Sequence, residues 1–465
     1  MPLRVPADAA IVTAAQMREA EAAVFASGVS QTELMERAGL AVAREVRRFA
    51  GGAPVLVLAG PGNNGGDAYV VARHVAAWGG DVVVAALGVP KAGAAAEMAA
   101  RWKGGVTSLE DARARPVLVD GLFGTGITRP LDPEVTGPLK RLCEGAGFRI
   151  AIDLPSGFDT DSGERLESPA RADVTVALGA LKSAHVLFPA SGACGTVVLA
   201  DIGVPVPDVV RSIARPILSA PGAEAHKYSR GMVVVVAGEM PGAARLAATA
   251  ALHGGAGYVV LAGAQPDGQA PAAVVQRRVD RPEALAELLR DERIGSVLIG
   301  PGLGRGEAAR AMLEVALACP HRLVLDGDAL TLLGTRAEGL ARRAETVLTP
   351  HGGEFARMFG ADGGSKIDRT RIAARASGAI VVHKGADTVA ATPSGDVRVL
   401  SWGSPWLATA GTGDVLAGLT AAAAPGLDGA SAAIWLHARA ATHAGPGFAA
   451  DDLARAVPMA MREAV

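Results

Sequence analysis

The stretch PVLVLAGPGNNGGDAYVVARHV, Pro54 to Val75, decides the fold class. PVLVLAG is a short Val/Leu run without polar alternation, which predicts a strand covered on both faces and hence a mostly parallel sheet. Gly60 to Tyr69, GPGNNGGDAY, then supplies four glycines. They let the backbone approach a ligand closely, and a helix expected near Asp67 to Trp78 would offer N–H donors at its start. The spacing is not GxGxxG, so this reads as a phosphate-type loop with no named ligand. Asn63, Asn64 and Asp67 are equally at home as turn formers.

Working outward, two amphipathic helical stretches come first, Thr13 to Ser27 and Gln31 to Phe49. Further strands are predicted in DVVVAAL (Asp81 to Leu87), PVLVD (Pro116 to Asp120), FRIAIDLP (Phe148 to Pro155), DVTVAL and TVVLAD. After Asp201 the pattern breaks at Pro205, Pro207, Pro216 and Pro221, a linker signal that puts a boundary between Ser212 and Ala225. A second series starts with GMVVVVAG (Gly231 to Gly238) and runs through SVLIGPGLG, RLVLDGDAL, TVLTPHGGEF and AIVVHKGADT. The expectation is two α/β domains, residues 1–213 and 214–465, the first a Rossmann-like three-layer α/β domain.

At 465 residues the chain exceeds one ordinary core. With 50% hydrophobic and 20% charged residues it reads as well-packed globular protein. A net charge of −2 leaves no electrostatic footprint for nucleic acid or an anionic membrane. Cys143, Cys194 and Cys319 form no CxxC pair and suit a reducing cytosol. The nine histidines show no HExxH spacing, and MPLRVPADAA is not a signal peptide. A cytoplasmic setting is expected, with no nucleic acid and no membrane as partner.

In open parallel sheets ligands bind beyond the C-terminal strand ends. Three such ends carry oxygen-bearing side chains: the Asn-rich loop, Asp120 followed by GLFGTGITRP, and Asp153 followed by Ser156. Capping explains one of these comfortably; three together point to a site. Asn, Asp and Ser oxygens are hard ligands, suited to an alkali or alkaline-earth ion and poorly to zinc. NNGGDAYVVARHV, VDGLFGTGITRP and AIDLPSGFDTDSG, in this order, resemble the NAD(P)H-hydrate epimerase family over Thr13 to Pro205. The resemblance implies a substrate pocket from Asn63, Asn64, Gly65, Gly66 and Asp67, from Gly124, Thr125, Gly126, Ile127, Thr128, Arg129 and Pro130, and from Asp153. It also implies a potassium site made by Asn64, Asp120 and Ser156. Ala68 stands where that family often has glycine.

ATAGTGDVLAG, Ala408 to Gly418, places an aspartate at a predicted helix start, where Thr412 or Asp414 would serve as an ordinary cap. No Lys-Ser/Thr pair follows, so it is not a Walker loop. With HKYSRGMVVVVAG, GPGLG, TPHGGEF and HKGADTV before it, the set resembles the ribokinase-like dehydratase found as the other half of bacterial NAD(P)H-hydrate repair enzymes. That resemblance implies a ribokinase-like C-terminal domain in which Asp414 deprotonates an attacking hydroxyl. Lys384, Gly385, Ala386, Asp387, Thr388 and Gly413 would hold ADP with Mg2+. Ala256, Gly304, His351 and Asp414 would contact the hydrated nucleotide. His351 and Glu354 also read as a capping pair. PHGGE and GSPWLAT depart from the usual pattern without touching the chemistry residues.

The implied chemistry is repair of NADHX and NADPHX. Asp153, as acid/base, interconverts C6 epimers in a potassium-dependent epimerase. The dehydratase activates the C6 hydroxyl of one epimer by phosphoryl transfer from ADP. A homo-oligomer with small-molecule partners is expected. The rival reading is a ribokinase-like small-metabolite kinase carrying a non-catalytic ligand-binding N-terminal domain.

Overall fold

The computed structural model describes residues 5–166, 170–340, 342–361 and 363–465; the first four residues of MPLRVPADAA lie outside it. The chain divides into two compact units, one ending at Ser212 and the next beginning at Ile213.

In the first unit seven parallel strands form one sheet: β1 Val55–Ala59, β2 Val82–Ala86, β3 Val106–Ser108, β4 Val117–Gly121, β5 Phe148–Ile152, β6 Val174–Leu178 and β7 Thr196–Ala200. Their spatial order is β3-β2-β1-β4-β5-β6-β7. All five residues of β1 are buried, as the Val/Leu run requires of a strand covered on both faces. The direction of winding reverses between β1 and β4, so the crevice beyond their C-terminal ends is the natural ligand position. Backbone meets backbone there: Gly60 N–H donates to Gly121 O at 3.1 Å, and a Cβ on Gly60 would fall 1.8 Å from Leu122 O.

The helix after β1 is Asn63–Ala77, with Gly62 as its N-cap. It starts four residues earlier than the sequence suggests, so Asn63 to Gly66 are its first turn rather than a loop. The reason is close packing. A Cβ on Gly65 would meet Gly60 O at 1.8 Å, and one on Gly66 would meet Met35 Sδ at 2.5 Å. Gly65 serves contact with the residue just after β1 and Gly66 contact with helix Gln31–Ala50, which overrides their low helix propensity. The leading helices, Ala14–Ala26 and Gln31–Ala50, begin at Thr13 in a capping box with Gln16 and at Ser30. Within the expected linker, Val210–Ser212 is a short strand whose Arg211 bridges antiparallel to Ala10.

In the second unit nine strands run β8 Met232–Val236, β9 Tyr258–Gly263, β10 Val275–Arg278, β11 Ile294–Ile299, β12 Arg322–Leu325, β13 Thr346–Leu348, β14 Ile380–His383, β15 Thr388–Ala391 and β16 Val397–Leu400. Their order is β10-β9-β8-β11-β12-β13-β14-β15-β16. The pairings from β10 to β14 are parallel; β14-β15 and β15-β16 are antiparallel. Winding reverses between β8 and β11, again at backbone contact, where a Cβ on Gly238 would fall 2.2 Å from Leu303 O. The core is rich in alanine and valine, with helices Pro241–His253 and Thr412–Ala422 packed on one another. Among the described residues no helix is long and apolar enough to cross a membrane. The three cysteines are free and buried.

Gly65→Ala is expected to lower the stability of the first unit by about 1–3 kcal/mol, because the new methyl meets fixed backbone. Gly62→Ala, with nothing within 4 Å of its Cβ position, should stay within about 0.5 kcal/mol. Urea unfolding of the two variants checks this; equal midpoints would overturn the packing argument.

Candidate active sites

In the first unit a cavity of about 800 Å³ opens beyond β1, β4 and β5. Asn63, Asn64 and Asp67 line it from the helix after β1, and Gly124, Thr125, Gly126, Ile127, Thr128, Arg129 and Pro130 from the loop after β4. Asp153 lines it from the end of β5. Of the expected substrate residues, only Gly65 and Gly66 are outside this lining.

Asp153 carries a left-handed backbone, φ +62°, which is uncommon for a residue with a Cβ and is sustained by its surroundings. Its Oδ1 accepts from Leu178 N–H at 3.1 Å and from Lys182 Nζ at 2.6 Å. Lys182 is 1% exposed and also donates to Leu178 O at 2.6 Å. A short parallel pairing of Ile11–Val12 with Leu181–Lys182 fixes its backbone. Lys182 N–H donates to His185 Nδ1 at 2.8 Å, which leaves the proton on Nε2 to donate to Asp153 O at 2.5 Å. Burial lowers the His185 pKa to about 4, so this ring is a neutral brace.

Asp67 is 7% exposed. Burial, then Asp153 and Glu21, hold its carboxyl well above the ordinary range, with Lys182 opposing. Arg18 and Glu21, from helix Ala14–Ala26, complete the charged lining. Sequence reasoning missed Lys182, His185, Arg18 and Glu21. The only available signal was a lysine and a histidine just after a fully buried strand.

Asp120 and Ser156 sit outside the cavity lining but touch each other. Ser156 N–H donates to Asp120 Oδ2 and its Oγ–H to Oδ1, both at 2.8 Å, while Leu122 N–H donates to Oδ1 at 3.2 Å. Burial raises the Asp120 pKa against these bonds. Ser156 Oγ accepts from Phe123 N–H at 3.2 Å, and the next residue, Gly124, abuts Asn64 Oδ1. Asn64 Nδ2 is buried without a partner. The oxygens of one buried carboxylate, one hydroxyl and one side-chain amide fit a hard monovalent cation in donor chemistry.

In the second unit Asp414 lies in the first turn of Thr412–Ala422. Neither side chain considered as a cap performs that role: the N-cap is Gly411, φ +89°, and Thr412 Oγ–H donates to Leu407 O and Thr409 O at 2.8 and 3.0 Å. His437 Nε2–H donates to Thr412 O at 2.9 Å and braces the turn from behind. Burial raises the Asp414 pKa to about 7, with Asp326, Asp328 and Glu354 adding to it and Lys384 opposing. Lys384 Nζ donates to Asp326 Oδ1 at 2.6 Å and lies 3.3 Å from where a Cβ on Gly413 would be. A side chain at position 413 would crowd that ammonium.

Around this group, Thr349 Oγ–H also donates to Asp326 Oδ1 at 2.7 Å. Gly304, φ +85°, donates its N–H to Asp328 Oδ2 at 3.0 Å. His351 caps Gly352–Phe359 through Nδ1 and forms a capping box with Glu354, leaving its ring exposed. Asp387 is ion-paired with Lys366 at 2.7 Å, and Thr388 opens β15, so Lys384 to Thr388 form the turn between β14 and β15. Ala256, the remaining residue expected at the hydrated nucleotide, is buried within the apolar core cluster. Among the described residues no cluster of three His, Cys, Asp or Glu is poised to hold a metal. Isolated carboxylates fit Mg2+ that arrives with phosphate oxygens and keeps its waters.

Residues 233–458 match the family described as NAD(P)H-hydrate dehydratase, and residues 31–184 that described as YjeF-related protein N-terminus. The bifunctional NAD(P)H-hydrate repair enzyme Nnr of Gloeobacter violaceus is 38% identical, over 96% of each chain. Its namesake from Mycobacterium leprae is 35% identical, over 95% of this chain and 96% of its own. Among solved structures, the ADP/ATP-dependent NAD(P)H-hydrate dehydratase of Bacillus subtilis co-crystallized with ATP/Mg2+ matches at 26% identity and a TM-score of 0.46. That match covers 54% of this chain and 95% of that one. A ribokinase-like superfamily protein of Enterococcus faecalis matches at 23% identity and a TM-score of 0.49, over 55% and 96%. The chain belongs to the family of bifunctional NAD(P)H-hydrate repair enzymes.

Proposed function

We propose that the unit 1–213 interconverts the R and S epimers of NADHX and NADPHX, and that 214–465 dehydrates the S epimer to NAD(P)H while converting ADP to AMP and phosphate. The enzyme acts as a cytoplasmic homo-oligomer, as the resemblance of both halves implies. The observation that carries the reading is Asp414: a carboxyl with a pKa of about 7, at a helix start beside a lysine and a bare glycine. A general base is most effective with a pKa near the working pH.

Hydroxide leaves C6 poorly. In the proposed sequence Asp414 takes the C6 hydroxyl proton as that oxygen attacks the terminal phosphorus of ADP, and the bond to AMP breaks. The N1 lone pair then expels phosphate from C6, and loss of a C5 proton restores the dihydropyridine. Lys384, Gly413 and the helix N-terminus offer positive charge where phosphate charge develops. Magnesium carried with ADP would supply charge neutralisation, and Asp326 and Asp328 are the carboxylates that would hold it. Gly304 and His351 would contact the hydrated ring.

In the first unit, Asp153 handles the proton as water leaves and returns at C6. A potassium ion at Asn64, Asp120 and Ser156 would supply a positive charge that fixes the loop after β4. The rival kinase reading differs in product, since a stable phosphorylated metabolite would accumulate. Incubation with mixed-epimer NADHX and ADP, followed by NADH absorbance, decides between them. Complete conversion is expected; a stable phosphorylated product or no NADH would overturn the proposal.

Asp414→Asn should lower dehydration by roughly 10²–10⁴-fold, the loss typical of a positioned base, with epimerisation unchanged. Because the Asp414 pKa is raised to about 7, the ionised base is depleted below that pH. Wild-type kcat/KM for dehydration should therefore climb about tenfold per pH unit up to neutrality and level off above it. Near-normal NADH formation by the variant, or a flat wild-type profile between pH 5 and pH 8, would remove Asp414 from this role.

Asp120→Ala removes the only charged member of the cation trio. Epimerisation should slow and lose its response to added potassium chloride, with dehydration of the S epimer intact. An equal wild-type epimerisation rate in potassium-free and potassium-containing buffer would count against the site.

A further inference from the structure

Glu21, Asp67, Asp153 and Lys182 meet at the cavity of the first unit, and their partnerships are unequal. Lys182 is committed, donating at 2.6 Å to both Asp153 and Leu178 O. Glu21 shares the cavity lining with Arg18. Asp67 is 93% buried by its 7% exposure, lines the cavity, and its carboxyl makes no hydrogen bond or ion pair among the described residues. Arg129, Asp132 and Glu134 also line the cavity, and His185 reaches only the backbone oxygen of Asp153.

We propose that Asp67 is a second catalytic residue of this cavity, the acid that protonates the departing C6 oxygen, while Asp153, positioned by Lys182, accepts the proton when water returns. The inference rests on the epimerase reading of the first unit and goes beyond it by dividing the proton work between two named groups.

The physical basis is a difference in environment. A carboxyl in a low-dielectric cavity with no cation in contact retains its proton, whereas one 2.6 Å from an ammonium is an ion-pair member. Two carboxyls held in such unlike surroundings divide into acid and base. Burial, Asp153 and Glu21 all push the Asp67 carboxyl the same way, upward.

The step balances without any further reactant. As the C6–O bond breaks, the N1 lone pair forms a C6=N1 bond, and the oxygen takes the proton of Asp67 and leaves as water. Water adds to the other face of C6, the C6=N1 pair returns to N1, and the excess proton passes to the Asp153 carboxylate. Transfer of that proton to Asp67 through cavity solvent resets the pair, with no net change but the configuration of C6.

The test uses the full chain, a single purified NADHX epimer, no nucleotide, and chromatographic separation of the epimers over time. Wild type comes first: if it does not interconvert epimers, the epimerase reading itself fails, independently of the Asp67 assignment. If it does, its rate should fall at alkaline pH as Asp67 loses its proton. Asp67→Asn should lower kcat by roughly 10²–10³-fold, with KM within about threefold, and abolish the alkaline fall. Lys182→Met should lower kcat while the alkaline fall persists, as a positioning role requires.

A urea unfolding midpoint of the first unit equal to that of wild type reports that each variant is folded. Should Asp67→Asn fail that control, the wild-type profile decides, since a rate that does not fall at alkaline pH overturns the proposal. A normal kcat with a raised KM in Asp67→Asn, or an alkaline fall that survives in it and vanishes in Glu21→Gln, overturns the proposal as well.

Discussion

A lysine ammonium held 2.6 Å from a buried carboxylate organises each of the two sites: Lys182 on Asp153, and Lys384 on Asp326. In both, the carboxyls outnumber the cation in direct contact with them. An ion pair inside protein persists because mutual attraction and further hydrogen bonds offset desolvation. Leu178 N–H supports Asp153, and Thr349 supports Asp326. A carboxyl left outside the pair is pushed upward, Asp67 in one unit and Asp414 in the other. The same electrostatic rule thus raises the carboxyl outside the ion pair in both units, to about 7 in the case of Asp414.

Both sites depend on where the sheets change direction. Between β1 and β4, and again between β8 and β11, adjacent connections diverge and leave a crevice at the strand ends. Glycine lets the two backbones close at that point, since a Cβ on Gly60 or Gly238 would overlap a carbonyl of the neighbouring loop. The side chains that follow are thereby aimed over the sheet edge. Asp153, Asp326 and Lys384 each occupy the first position after a strand, and Asp120 the last but one position of β4.

The bracing behind the reacting groups is neutral and buried. His185 and His437 both have pKa values lowered to about 4 by burial, and both donate from Nε2 to a backbone carbonyl. Each fixes the turn carrying a proposed acid/base residue without adding charge near it. The left-handed backbone of Asp153 and the glycine N-cap before Asp414 are the conformations these braces hold.

The two α/β series, their mostly parallel sheets and the boundary region were legible because short apolar runs and proline clusters act locally. The motifs around Asn64, Asp120, Asp153 and Lys384 were legible as short stretches near strand ends, and that around Asp414 as a glycine turn that opens a helix. What only the tertiary structure decided is partnership across the chain. Lys182 reaches Asp153 from 29 residues away, and Asp326 reaches Lys384 from 58. Glu21 joins Asp67 from a helix before the first sheet strand. The early start of Asn63–Ala77, the capping box at His351 and the uncapped Asp414 likewise follow from packing. Local sequence sets propensity and turn chemistry, but burial and charge pairing, which place protons, arise only when distant segments share one low-dielectric space.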